Sequence, residues 1–127
     1  MVQLSSQAEA GRGARCRPVA RPLPPGLLIC AEAASAASGI ALDDLLAPGP
    51  GVRPVSTARA LAIYLAHVGL GLPLARVAEG FHRHRTSVDH ACRRIEERRE
   101  IAGWDHWVGL LEEQVRARLA GEGGDGA

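Results

Sequence analysis

The stretch FHRHRTSVDHACRRIEERRE, Phe81 to Glu100, decides how this chain is read. Val88, Ala91, Cys92 and Ile95 recur at i, i+3, i+4 and i+7, the spacing that lines one side of an α-helix and predicts a buried stripe. Thr86, His90 and Arg93 fall on the other side, with Arg85 and Ser87 at the helix start, so hydrogen-bonding groups gather where the helix faces outward. A helix N-terminus adds its own attraction for phosphate, through unpaired N–H groups and the helix dipole. Just upstream, LPLARVAEGF has Pro73 near a helix start and Leu74, Val77 and Phe81 at core spacing, which predicts a short first helix. A short helix, a turn at about Phe81 to His84 and a longer second helix form the helix-turn-helix pattern, whose second member docks in the major groove of duplex DNA.

Working outward, Leu27 to Ser38 is alanine-rich and helical in propensity, and Gly39 is a stop signal. Ile40 to Leu46 predicts a second, short helix, and PGPGVRP from Pro48 to Pro54 a rigid, turn-rich connection. Ser56 is expected to cap the next helix, which runs to about Val68 with Leu61, Tyr64, Leu65 and Val68 on one side. Beyond the recognition helix, Gly103 is expected to break the pattern before a final helix carrying Trp107, Leu110, Leu111 and Val115 at helical spacing. Nothing alternates with period two and no repeat of solenoid length occurs. The expected fold is all-α: a small bundle of about five to six helices containing a helix-turn-helix. Residues 1–25 mix Gly, Arg, Ser and Pro with few large apolar groups, and GEGGDGA closes the chain at 121–127; both are expected to be disordered tails around one domain at 26–120.

The net charge of +1 is too small for a general nucleic-acid sponge, but it is unevenly placed. Ser56 to Arg99 holds eight arginines against Glu79, Asp89, Glu96 and Glu97, a local +4. The N-terminal tail adds Arg12, Arg15, Arg17 and Arg21 against Glu9, and the remaining regions are net acidic. Cys16, Cys30 and Cys92 are odd in number and lack disulfide spacing, which points to a reducing compartment. The apolar run Leu27 to Ala31 stops at Glu32, too short for a signal or a membrane span, so the expected location is the cytoplasm, at the nucleoid, with no membrane partner.

At these residues the chain resembles the C-terminal DNA-binding domain of the bacterial replication initiator DnaA. The resemblance rests on DDLL, on ARALAIYLA ahead of the motif, on LARVAEGF in its first helix and on RTSVDHACRRIE at the recognition helix, and runs from roughly Ile29 to Arg118. The family's turn reads like RDHTTV followed by HAC and a basic pair; here Arg83, His84, Arg85, Thr86, Ser87 and Val88 occupy it, followed by His90, Ala91, Cys92, Arg93 and Arg94. The resemblance implies sequence-specific binding of double-stranded DNA at a DnaA-box-like site, serving replication initiation or transcription. It places base contacts at the first helical turn, on Arg85 and Thr86 with His84 and Ser87 beside them. Chemistry agrees: arginine bonds guanine bidentately, and threonine can hydrogen-bond a base edge and set its methyl against that of thymine. His90, Arg93 and Arg94 are expected to grip phosphate, with Arg83 beside the turn and Arg59 clamping the DNA backbone. Two departures bear on the target. The family's Asp-His pair is replaced by His84 and Arg85 in a loop one residue shorter, and Thr57 stands where the family has an arginine that reaches the minor groove.

The family's ATPase motif GxxxxGK[ST] does not occur, and the sequence contains no lysine to reach terminal phosphates. No nucleotide or other cofactor is therefore expected, and the sequence resembles a free-standing DNA-binding domain. His82, His84, His90 and Cys92 crowd nitrogen and sulfur donors together, but two-residue spacing on a helix makes His90 and Cys92 diverge, so no metal is expected. The same histidines can couple binding to pH, since imidazole gains charge between pH 8 and 5; affinity unchanged from pH 8 to 6 would exclude this. Asp43 with Asp44 and Glu112 with Glu113 read as solvated acids, no nucleophile, base and orienter are arranged together, and the chain is expected not to be an enzyme. Trp104 and Trp107 read as packing residues of the closing helix. The alternative to DNA binding is an adaptor that keeps the fold and binds a protein partner, such as an initiator, through that helix.

Overall fold

Helix α1, Pro25–Ser38, starts where a proline costs nothing, in the first turn, and ends where Gly39 takes φ 78° and returns its N–H to the Ser35 carbonyl. It buries Leu27, Ile29, Cys30, Ala31 and Ala34. The short α2, Leu42–Leu46, adds Leu45 to the core. The computed structural model describes residues 23–49 and 51–126, so the tail expected at residues 1–25 lies almost wholly outside the described residues.

Helix α3, Arg53–Tyr64, is the central element: every residue from Ala58 to Tyr64 is buried. It packs against α1 on one side and against the recognition helix on the other. Ser56 does not cap it. Pro54, with φ already set, lets the helix begin earlier, so the Ser56 N–H bonds the Val52 carbonyl at 2.8 Å and its hydroxyl bonds Arg53 O at 3.0 Å within the first turn. The helix then widens into a π-helical turn, Leu65–Gly69, closed by Leu70 N–H on Leu65 O at 2.9 Å. This wider turn shifts Val68 off the predicted apolar side, leaving it 38% exposed.

Helix α4, Leu74–Phe81, and helix α5, Arg85–Arg98, follow as the helix-turn-helix pair. The last helix, α6, Ala102–Gly126, differs from expectation in two ways. Gly103 lies inside its first turn, the break falling instead at Arg99 to Ile101. Its inward stripe is Val108, Leu111 and Val115, with Leu110 45% exposed. The expected all-α fold is thus realised as six α-helices, with no strand among the described residues.

One polar cluster braces α5, α6 and α3. Glu112, expected to be solvated, is only 7% exposed and meets Arg99 Nη1 at 3.0 Å. The same nitrogen donates to Tyr64 Oη at 3.2 Å, and Arg99 Nε donates to Asp105 at 2.8 Å. Burial disfavours the guanidinium charge, but the bonds to Asp105 and Tyr64 and the Glu112 carboxylate outweigh it and raise its pKa further. A buried acid so paired is a brace, since leaving either partner alone would strand a charge.

Candidate nucleic-acid interface

The turn between α4 and α5 is made by His82, whose φ of 57° is the single positive value at a non-glycine residue described. Histidine tolerates this left-handed conformation better than bulky or branched residues do. It lets Arg83 N–H reach back five residues to Ala78 O at 2.8 Å, while His82 N–H bonds Glu79 O, closing α4 in the Schellman manner. Val77, Ala78 and Phe81 bury the inner face of α4, and Val88, Ala91, Cys92 and Ile95 that of α5, so the inner faces of both helices are apolar. Burial pushes the Cys92 thiol up to about 11 and the Cys30 thiol to about 12, as expected for core cysteines.

Everything the stripe leaves outside is polar. His84, Arg85, Thr86, Ser87, His90, Arg93 and Arg94 are all exposed. Helix α5 begins at Arg85 with His84 as its flanking residue, with no side-chain cap and no acid in its first turn. The first N–H groups of α5 therefore keep their bonding capacity for an acceptor from outside. Arg93 meets Asp89 at 3.0 Å in an exposed i,i+4 pair, a contact weak enough in water to be exchanged for a phosphate. Arg94 reaches across to α3, where Nη2 donates to Thr57 Oγ1 at 3.4 Å. His90 and Cys92 do face apart, one exposed and one buried.

Two predicted contact residues are placed differently. Arg59, expected to clamp the DNA backbone, is turned inward and 7% exposed. Its guanidinium donates to the carbonyls of Leu45 at 2.9 Å, Gly49 at 2.8 Å and Ala47 at 3.1 Å. Arg83 joins it from the turn, with Nη1 on Gly49 O at 3.1 Å and Nη2 on Ala47 O at 2.8 Å. The reason lies in the connection between α2 and α3: its carbonyls at Ala47 and Gly49 face the arginines, and a planar five-donor fork is suited to collecting several carbonyls at once. Burial lowers the pKa of both arginines, and Arg59 is lowered further by the nearby Arg83 charge. The sequence carries no local mark of this role, because the carbonyls it serves are ten or more residues away.

Between α3 and α5 these side chains enclose a shallow depression of about 270 Å3. Ala60, Ile63 and Ala91 form its floor, and Ser56, Ser87, His90 and Arg94 its rim. Arg59 and Arg83 also line it, and none of the lining residues is acidic.

The bacterial DnaA protein helix-turn-helix family matches residues 31–95, which is 65 of the 127 residues and takes in α1 from Ala31 through most of α5. The chain belongs to this family. Its helix-turn-helix is α4 and α5, and the matched region includes every predicted contact residue. The crystal structure of a DNA replication initiation factor is similar, with a TM-score of 0.65 and 29% sequence identity over 73% of this chain. The match covers 29% of that larger chain. No curated protein matches. As a member of the DnaA helix-turn-helix family the chain is a DNA-binding protein, and among its described residues no helix is long and apolar enough to cross a membrane.

Proposed function

We propose that the chain binds double-stranded DNA sequence-specifically, at a site related to the DnaA box, and so regulates replication initiation or transcription at the nucleoid in the cytoplasm. One observation carries this reading. The first two turns of α5 expose Arg85, Thr86, Ser87 and His90 together, while Val88, Ala91 and Cys92 pin the opposite face to the core. A helix so anchored can enter the major groove without rearranging the bundle. Arg85 and Thr86 read base edges, His84 and Ser87 flank them, and Arg93 and Arg94 hold phosphate. Arg59 and Arg83 act behind this surface by fixing the loop they bind. The mechanism draws on no nucleotide, metal or catalytic group.

Enrichment from a random duplex library, followed by fluorescence anisotropy at two salt concentrations, tests this. An enriched motif bound with strong salt dependence is expected; equal affinity for enriched and random duplexes would refute sequence specificity. A second reading, a protein-binding adaptor, draws on Ile101 at 58% and Leu110 at 45% exposure beside the edge-packed Trp104 and Trp107. A complete lack of duplex binding in the same assay would favour it.

A further inference from the structure

The outward face of α5 carries one group that does not fit a surface made only to attract DNA. We infer that Asp89 is a specificity-determining residue, whose carboxylate accepts from the N4 amino group of a cytosine in the major groove. This inference rests on the duplex-binding reading above and adds to it the identity of one base that the site selects.

Three observations carry it. Asp89 lies four residues beyond Arg85 and three beyond Thr86, so it stands one turn along the same side of the helix as the two residues proposed to read bases. Among residues 85–95 it is the only acid, with Glu96 and Glu97 following two turns later. It also takes no part in holding the fold. Its side chain is 44% exposed, and among the described residues its bonded partner is Arg93, through Oδ2 at 3.0 Å, in an i,i+4 pair of the kind that adds little stability in water. Lying beyond the first turn of α5, it neither caps the helix nor gains much from the dipole, which fades within that turn.

An anion here works against the phosphates, so its contribution lies in choosing among bases rather than in affinity. A carboxylate only accepts hydrogen bonds. In the major groove guanine offers O6 and N7 and thymine offers O4, all acceptors that an anion repels, whereas cytosine and adenine each offer an amino donor. Adenine sets its N7 acceptor beside that amino group and cytosine does not, so cytosine is the base that suits Asp89 best. The pair with Arg93 fits this use. When Arg93 turns to phosphate, Asp89 loses its partner; a cytosine amino group replaces it, while guanine or thymine leaves the charge unmet.

The test enriches duplexes from a random library with the full chain as wild type, Asp89→Ala and Asp89→Asn, circular dichroism confirming that each is folded. We expect the wild type to enrich a motif with cytosine at one position, and Asp89→Ala to lose preference at that position alone. Asp89→Asn should move the preference toward adenine, which an amide bonds bidentately. By fluorescence anisotropy the wild type should favour cytosine over guanine there by about tenfold. Asp89→Ala should lose most of that factor and bind random duplexes about twofold more tightly, since a charge that repels phosphate is gone. Replacing the cytosine by 2-pyrimidinone, which lacks the amino group, should weaken the wild type by about tenfold and leave Asp89→Ala unaffected. These readouts separate a base contact from mere support of Arg93, because loss of that support would weaken random duplexes instead. A wild type that enriches a motif, while Asp89→Ala enriches the same motif with unchanged discrimination at every position, overturns the cytosine contact and leaves the duplex reading standing. A wild type that enriches no motif overturns both.

Discussion

Arg59→Ala separates a DNA clamp from a brace of the fold. The Arg59 side chain donates to the carbonyls of Leu45, Ala47 and Gly49 at 2.8 to 3.1 Å and to that of Asp44 at 3.4 Å. A hydrogen bond to a charged group contributes about 1.5 to 3 kcal/mol, and such bonds are not additive. The Leu45 residue is 1% exposed, so its carbonyl loses its partner in a dry setting, whereas Ala47 and Gly49 lie where water can replace the guanidinium. Arg83 also keeps its hold on Ala47 and Gly49. The net loss should be about 2 to 4 kcal/mol, a large share of the roughly 5 to 15 kcal/mol that holds a domain of this size. Urea unfolding followed at 222 nm measures it, and Tm should drop by roughly 10 to 20 °C. Arg59→Lys keeps the charge but not the fork and should lose about half as much. For the folded fraction, the salt slope of duplex binding should change little. Stability within about 0.5 kcal/mol of wild type together with a reduced salt slope would refute the inward role and restore Arg59 to the DNA backbone.

Other expectations follow from the same geometry. Arg85→Ala should cost about 1 to 3 kcal/mol on an enriched duplex and far less on a random one; equal losses would remove it from base reading. A Cβ on Gly80 would run into the Cδ1 of the buried Leu27 and stand 3.4 Å from its Cγ, so Gly80→Ala should destabilise by about 1 to 3 kcal/mol in a thermal melt, and a neutral result would show that α1 and α4 pack more loosely. His82→Gly relieves the left-handed strain at an exposed site and should raise stability by up to about 1 kcal/mol without altering affinity. The thiols at about 11 and 12 are raised from 9.0, so the stability they contribute is complete below pH 9 and is lost progressively as pH rises through 11. In a Cys16→Ser background, Cys30 and Cys92 should therefore resist iodoacetamide at pH 8 and react on addition of urea; rapid alkylation of the folded chain would contradict their burial.

The readable parts of this fold are those where a local pattern and the tertiary structure ask for the same thing. Val88, Ala91, Cys92 and Ile95 form a stripe because helix period alone puts them together, and Gly39 ends α1 because the left-handed cap needs little more than a glycine. The turn from Phe81 to His84 was legible for the same reason. Elsewhere, partners distant in sequence decide. Glu112 looks like a surface acid beside Glu113 until Arg99 and Tyr64 meet it. Val68 follows the α-period on paper, but the π-helical turn adds a residue to the cycle. Of the predicted contact residues, all but Arg59 and Arg83 lie exposed on α5 or at its head, since an outward face is simply the complement of a legible stripe. Arg59 escaped because its destination is a loop ten to fourteen residues upstream.

A net charge of +1 is a poor guide to this surface, and the absence of lysine explains why. All 15 basic side chains are arginine, a group that serves equally well as a collector of buried carbonyls and as a phosphate ligand. Arg59, Arg83 and Arg99 are spent on carbonyls or on the Glu112 brace, whereas Arg85, Arg93 and Arg94 stand outward on one helix. The inward group still contributes to the field. Arg83 is held by the neutral carbonyls of Ala47 and Gly49, so its charge persists at the α3–α5 depression, while the acids Glu112 and Asp105 pair with Arg99. Phosphate affinity should therefore depend on where acids are added more than on how many. Ala60→Glu, at the floor of the depression, should abolish duplex binding, whereas Glu113→Ala, which raises net charge by the same unit that Ala60→Glu removes, should leave it nearly unchanged; comparable effects from the two would mean that total charge, not this arrangement, governs binding.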